Sequence, residues 1–161
     1  MTASAPATAS MTPVLPHPLV LPLPADRPPA AARGSALCAM TAVPEAVPAL
    51  RHFARDLALR WQLPSDTVDA VSVIVTELVA NVVLHSGSQD VVLLVTLQTE
   101  ALTVEVRDSG RWRPRTTPRR AALDADAVCG RGLRLVEAYA SRVAARLTGT
   151  GTLIAAELAL G

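Results

Sequence analysis

Apolar and polar residues alternate with a helical period over two consecutive stretches of the chain. From Pro44 to Leu63 the apolar residues recur at alternating spacings of three and four, which predicts an amphipathic helix with arginines outside. The stretch "LPSDTVDA" supplies Ser65 or Asp66 as the N-cap of a second helix, which we expect to run to about residue 85. Gly87 is a natural stop for that helix.

Strand patterns precede and follow these two helices. The short apolar run "ALCAMTAV" predicts an edge strand, and "DVVLLVTLQ" and "LTVEVRD" predict two strands joined by a polar turn at Thr99 and Glu100. Farther along, "GLRLVEAYASR" predicts a helix, and "RVAARL" with "GTLIAAELAL" predicts a closing hairpin around residues 149–151. Residues 109–131 hold Pro, Arg, Asp and Gly without a period and predict a long loop. Such a loop in a compact domain is usually functional.

The predicted order is strand, two helices, two strands, loop, helix and two strands. This order predicts an α+β fold, a two-layer sandwich with the helices on one face of a mixed, mostly antiparallel sheet. With 161 residues, half of them apolar, the chain has enough sequence for one ordinary domain with a buried core.

The beginning of the chain has a different composition. Residues 1–35 are rich in Pro, Ala, Ser and Thr without a lasting period, which predicts a disordered tail ahead of a folded domain at 36–161. The first arginine is Arg27 and prolines interrupt the apolar run, so the segment does not fit a secretory signal. We also find no later run of about 20 apolar residues for a membrane span. A cytoplasmic protein without a membrane partner is therefore expected.

The charged residues exclude two large enzyme classes. All fifteen basic residues are arginine, and the absence of lysine excludes a P-loop lysine and a Schiff-base lysine. A net charge of +1, with two Trp, one Tyr and one Phe, argues against a nucleic-acid partner. Cys38 and Cys129 lack metal-ligand spacing, and we expect reduced thiols.

Three polar residues follow one another at intervals of four on the second predicted helix. Glu77, Asn81 and His85 lie beside the apolar face, roughly 100° or more from the expected solvent face. A carboxylate or an amide beside the core is costly unless it has a partner or a ligand. The alternative is a widened solvent face that leaves Glu77 exposed.

Two further features flank the predicted loop. In "LTVEVRDSG" the two-residue period places Asp108 on the face of Val104 and Val106, so that a carboxylate ends the core side of a strand. The alternative is an Asp that starts a turn through its side chain. In "GRGL", residues 130–133, two glycines at the start of a helix allow backbone amides to approach an anion. A flexible hinge explains the two glycines equally well.

In this order the three features resemble the motifs of the GHKL ATPase superfamily, named for gyrase, heat-shock chaperone, histidine kinase and MutL-type proteins. "ELVANVVLH" looks like the N-box, "VEVRDSG" like the D-x-G box, and "GRGLRLV" like the glycine box after the ATP lid. Within the superfamily, "TELVANVVLHSG" with a later "GTGTLIAAEL" is similar to the anti-sigma-factor serine kinases and their stand-alone actinobacterial relatives. The resemblance covers about residues 36–160 and implies a Bergerat-type ATP-binding fold.

The resemblance implies catalytic and metal-binding roles on the second helix. Asn81 would bind the Mg²⁺ that bridges the ATP phosphates, because an amide oxygen is a hard ligand. Glu77 would be the general base or would orient the attacking nucleophile. The resemblance is consistent with two roles for His85, a contact with the nucleotide or a cap on its helix, and we favour the cap.

The other matching residues would bind the nucleotide. Asp108 would accept a hydrogen bond from the adenine amino group, and Gly110 would leave room for the ring. On the phosphate side, Gly130 and Gly132 would give amides to the phosphates, Leu133 would pack below them, and Arg131 belongs to the same binding set.

The sequence departs from the family after the D-x-G box. Relatives often have a second glycine there, whereas "RWRP" follows Gly110, which leaves the geometry of the lid and the nucleotide affinity open. Six arginines from Arg107 to Arg120 would neutralise phosphate charge, face an acidic partner or lie in solvent.

The first hypothesis is an ATP-binding serine/threonine kinase of the anti-sigma type. It would phosphorylate a serine of a small antagonist protein and sequester a sigma factor, and relatives of this type commonly form homodimers. The alternative is a non-catalytic binding module with a nucleotide-dependent or degenerate ATP site. A structural α+β domain with coincidental motifs is the third reading. Glu77 favours the kinase, because a pure binding module would not need a base.

Overall fold

The computed structural model describes residues 32–110 and 130–161, except for the side chain of Arg131. In these two ranges the chain forms, in order, β1 (Gly34–Thr41), α1 (Ala46–Arg60), α2 (Ser65–Asn81), β2 (Asp90–Leu97), β3 (Ala101–Asp108), α3 (Gly130–Tyr139), β4 (Arg142–Thr148) and β5 (Gly151–Ala159). A π-helical segment, Val82–Ser86, continues α2. Most of the predicted tail and loop lies outside the described residues, and the domain boundary at residue 35 stays a prediction.

The five strands form one sheet in the order β1-β2-β3-β5-β4. The predicted α+β sandwich, the edge position of β1 and the closing hairpin of β4 and β5 are confirmed. The expectation of a mixed sheet was wrong for the described strands, because all four neighbouring pairs are antiparallel. β1 and β2 are antiparallel because two helices lie between them in the chain. These helices return the chain to the end of the sheet where β1 finished, so that Thr41 pairs with Asp90.

One hydrophobic core lies between the helices and one face of the sheet. Strand residues alternate, and the inward set on the three central strands consists of valines, leucines, Ile154 and Ala156. Five residues of α2 are completely buried in this core: Val71, Ile74, Val75, Leu78 and Val79. Cys38 of β1 packs against the core as a free cysteine, and Cys129 lies outside the described residues.

The ends of α2 differ in how well the sequence predicted them. Pro64, and not Ser65 or Asp66, occupies the N-cap position, with an extended backbone at ψ 149°, and Ser65 is already helical. The Ser65 hydroxyl points to the Asp66 carboxylate instead of capping the backbone. At the other end the stop at Gly87 is confirmed, because Gly87 adopts a left-handed conformation with φ 66°.

The whole helical stretch Ser65–Ser86 is long and apolar enough to cross a membrane, by length and composition alone. From the sequence we expected no run of about 20 apolar residues, so this stretch differs from that expectation. A core helix meets the same two criteria. Half of the most apolar window of this stretch is buried inside the fold, so α2 packs as a core helix does.

Candidate functional site

The second half of α2 presents two polar side chains to the start of α3. Asn81 is only 7% exposed and Glu77 is half-buried. A Cβ atom on Gly132 would lie 2.6 Å from Glu77 Oε2 and 3.9 Å from Asn81 Nδ2. Both side chains therefore face the first turn of α3, and the alternative of a widened solvent face does not describe Asn81.

The first turn of α3 is the predicted glycine box. Gly130 begins the helix, Gly132 is buried against Glu77, and Leu133 packs against the hydrophobic core. A helix start carries partial positive charge on its free N–H groups, so the Glu77 carboxylate lies near groups that favour an anion. The glycine at 132 permits this approach, because a larger residue would displace the carboxylate.

Asp108 ends β3 on the side that faces the helices, as the strand period predicted. It pairs with Val91 on β2 and with the buried Thr152 on β5. The predicted turn is present as well, because the Gly110 N–H donates to Asp108 Oδ1 at 2.8 Å. Asp108 thus serves both as a core-side carboxylate and as a turn residue.

The surroundings of Asp108 alter its acidity. Burial raises the pKa of the Asp108 carboxyl, because a charge is less well solvated there than in water. The hydrogen bond from Gly110 opposes this rise in pKa, the negative charge of Asp90 adds to it, and the hydroxyls of Ser86 and Thr152 oppose it. The carboxyl therefore lies among several hydrogen-bond donors and keeps a pKa above its ordinary value.

The π-helical segment brings the end of α2 against the end of β3. The hydroxyl of Ser86, a residue that is 1% exposed, donates to the Val82 carbonyl at 2.9 Å. A Cβ atom on Gly110 would overlap the Ser86 carbonyl oxygen, so only glycine allows this contact. This contact is a structural reason for the glycine of the D-x-G motif, while its predicted role beside the adenine ring stays a prediction. π-Helical turns are frequent at functional sites.

The structure thus brings the predicted residues together along one helix. Glu77 and Asn81 meet the start of α3, and Ser86, nine residues after Glu77, meets Asp108. The α-helical end of α2 and the π-helical segment thus carry one contact each. His85 is half-buried in the π-helical segment, and its role stays a prediction.

Other predicted features lie outside the described residues. They are the side chain of Arg131, the "RWRP" sequence after Gly110, and the arginines from Arg111 to Arg120. Arg107, the first of the six arginines, is exposed on β3.

Sequence reasoning missed several residues around Asp108. Thr152 and Ser86 contribute hydroxyls, and Gly151 lies so close that a Cβ atom there would overlap the Asp108 carbonyl oxygen. The pairing register of β3 with β5 brings Thr152 and Gly151 to Asp108, and that register is not visible in the local pattern. The serine-rich "HSGSQD" after α2 was the available signal for Ser86.

The described side chains bear on how a metal ion would bind. Within residues 32–110 and 132–161 there is no group of three or more His, Cys, Asp or Glu side chains that would hold a metal ion. A buried amide such as Asn81 offers one oxygen. Mg²⁺ typically takes one or two protein ligands together with substrate phosphates and water. The residues present therefore fit an ion that arrives with a nucleotide.

Comparison with known proteins adds to this geometry. No curated protein matches the chain. The protein family described as "Histidine kinase-like ATPase domain" matches residues 40–157. This range begins at the end of β1, reaches into β5 and contains all of the candidate site. The chain therefore belongs to the histidine kinase-like ATPase domain family of the GHKL superfamily, and this membership indicates ATP binding.

Proposed function

We propose that the protein is an ATP- and Mg²⁺-dependent serine/threonine protein kinase of the anti-sigma-factor type. It transfers the γ-phosphate to a serine of a small antagonist protein in the cytoplasm and also sequesters a sigma factor. The partner is thus a protein, and not a nucleic acid or a membrane. The observation that carries the proposal is the position of the Glu77 carboxylate beside the buried Asn81 amide at the start of α3.

Each residue of the site has a defined task in this reaction. Asp108 accepts a hydrogen bond from the adenine amino group, and the N–H groups at the start of α3 stabilise negative charge on the phosphates. Asn81 would hold Mg²⁺, and the bound ion would supply charge neutralisation at the phosphates. Glu77 accepts the proton of the partner's serine hydroxyl. The serine oxygen bonds to the γ-phosphorus while the bond from that phosphorus to the β–γ bridging oxygen breaks, and ADP leaves.

Calorimetric titration with ATP tests the nucleotide site. The wild type should bind ATP, Asp108→Asn should abolish binding, and Asn81→Ala should remove the dependence on Mg²⁺ while binding persists. Asp69→Asn is the matched control, because it changes an exposed carboxylate of α2 that pairs with Arg55. A folded wild type that binds no nucleotide would contradict the proposal.

Phosphate transfer separates the kinase from the non-catalytic module. The purified protein is incubated with γ-labelled ATP and an extract of its source cells. A small protein labelled by the wild type and not by Glu77→Gln supports the kinase. ATP binding without labelled protein in either sample favours the alternative, a module that uses the nucleotide only to set its conformation.

We further propose a homodimer formed through the outer face of the sheet, the face turned away from the helices. Leu37 on this face is 62% exposed and pairs in register with Leu94, which is half-buried. Glu105 and Arg107 lie on the same face of β3. A two-fold axis would place the carboxylate of one copy near the guanidinium of the other, so the surface is complementary to a second copy of itself.

A further inference from the structure

A cluster of hydrogen bonds joins the start of β2 to the end of β3 beside the candidate site. The Ser109 N–H donates to Ser88 Oγ at 3.0 Å, and the Ser109 hydroxyl donates to the Asp90 carboxylate. The Ser88 hydroxyl lies 2.7 Å from the Asp90 carbonyl oxygen and 3.0 Å from Asp90 Oδ1. Three side chains from two segments are thereby tied together.

Ser88 is the centre of this cluster. Its hydroxyl oxygen accepts the N–H of Ser109 and, at 3.3 Å, the N–H of Asp90, while its own N–H donates to Ser86 Oγ at 3.0 Å. Ser88 therefore connects the end of the α2 helix, the start of β2 and the end of β3. The two hydroxyls lower the pKa of Asp90, so its carboxylate remains an ionised acceptor for them.

The same contacts fix both residues that follow Asp108. Ser109 is held by Ser88, and Gly110 packs against the Ser86 carbonyl, with its Cβ position 2.8 Å from the Ser88 nitrogen. Gly110 in turn donates its N–H to the Asp108 carboxylate. The direction of the Asp108 carboxylate thus depends on where Ser88 holds the chain.

We propose that Ser88 is a positioning residue for adenine recognition: acting through Ser109 and Gly110, it aims the Asp108 carboxylate at the adenine amino group. This inference rests on the proposed ATP site at Asp108. Ser88 contributes no group to the nucleotide itself. Its effect is therefore confined to how well Asp108 distinguishes an amino group from other substituents of the purine.

The experiment compares the affinities for ATP and for inosine triphosphate, which carries an oxygen in place of the adenine amino group. The wild type should prefer ATP. Ser88→Ala should lower the ratio of the two affinities roughly 5-fold, about the effect of one hydrogen bond, by weakening ATP binding alone. A purely structural loss would weaken both nucleotides equally and leave the ratio unchanged. Ser141→Ala is the matched control, because this exposed hydroxyl donates to the Glu157 carbonyl at the other end of the sheet.

Two further variants sharpen the test. Ser88→Thr keeps the hydroxyl and should restore the ratio of the two affinities. If Ser88→Ala does not fold, the Asp90→Ala variant takes its place in the comparison, because it removes the carboxylate that accepts from the Ser88 and Ser109 hydroxyls. If folded Ser88→Ala has the same ratio of ATP to inosine triphosphate affinity as the wild type, the inference is overturned, and the proposed ATP site is not affected by that result. A wild type that binds neither nucleotide, or both equally, would overturn the adenine contact of Asp108 and the inference with it.

Discussion

Asp108 is under two opposing demands at the scale of a single residue. Its partial burial disfavours the charged carboxylate and raises its pKa, whereas the proposed adenine contact requires a hydrogen-bond acceptor at this position. The hydrogen bond from Gly110 and the nearby hydroxyls of Ser86 and Thr152 reduce the penalty without removing it. Polar groups kept beside a core at the expense of stability are typical of functional sites.

We expect Asp108→Asn to make the domain more stable at neutral pH while ATP binding is lost. A carboxyl whose pKa is raised by folding stabilises the fold fully only below its unfolded value, and this contribution is lost as the pH rises through the raised value. Asparagine cannot ionise, so the variant avoids this loss. Thermal unfolding at several pH values should show the variant's gain in Tm over the wild type widening as the pH rises above about 3.9, the ordinary pKa of an aspartate. A gain that shrinks over this range would contradict the argument.

Gly132→Ala should strain the contact between α3 and α2. The added Cβ atom would lie 2.6 Å from Glu77 Oε2, so one of the two groups must move. Because the displaced atom is the far end of a flexible side chain, we expect the free energy of unfolding to fall by less than about 1 kcal/mol in urea denaturation. Gly149→Ala is the control, because a Cβ atom there meets nothing within 4 Å.

A double-mutant cycle identifies the cause of that loss. In a Glu77→Ala background the carboxylate is absent, so Gly132→Ala should then lower the free energy of unfolding much less. Equal losses in both backgrounds would show that the strain comes from another contact.

At the scale of the element, α2 shows what a local pattern predicts well and what it does not. The helical period predicted its core side and the polar stripe of Glu77 and Asn81, because burial follows the side on which apolar residues recur. The period did not predict the π-helical turn at Val82–Ser86. That turn is associated with the contact of Ser86 with Gly110, a residue distant in sequence, so the local sequence carries no signature of it.

The core position of α2 predicts unequal effects for two of its leucines. Leu78 is fully buried, whereas Leu84 in the adjoining π-helical segment is 69% exposed. Leu78→Ala should lower the free energy of unfolding by about 2–5 kcal/mol, through lost burial and a residual cavity. Leu84→Ala should stay within about 0.5 kcal/mol of the wild type, as surface substitutions usually do. Urea denaturation measures both, and similar losses would show that α2 is not packed as described.

At the scale of the whole molecule, the order of helices and strands predicted the layers of the fold but not the directions of all strands. Hydrophobic period identifies an element and its buried side, whereas strand direction after two helices depends on how those helices pack. The same limit applies to the candidate site. Asp108 and Asn81 were placed by local period, while the long-range register brings Thr152 to Asp108 and a loop contact brings Ser88 to Ser109.

The exposed outer face of the sheet leads to a prediction about assembly. Leu37 lies on that face and is 62% exposed, while Leu59, 52% exposed, lies on α1 in the helical layer. If two copies pack through their sheets, Leu37→Arg places an unpaired charge in the interface and should yield a monomer by sedimentation. Leu59→Arg, the same substitution in the other layer, should leave the dimer intact.

ATP binding separates a broken interface from a damaged fold. The residues of the candidate site lie on the opposite side of the sheet from Leu37, so both variants should bind ATP as the wild type does. A monomeric Leu37→Arg variant with unchanged ATP affinity would support the interface. A wild type that sediments as a monomer at all concentrations would contradict it, and the exposed Leu37 would then need a different partner.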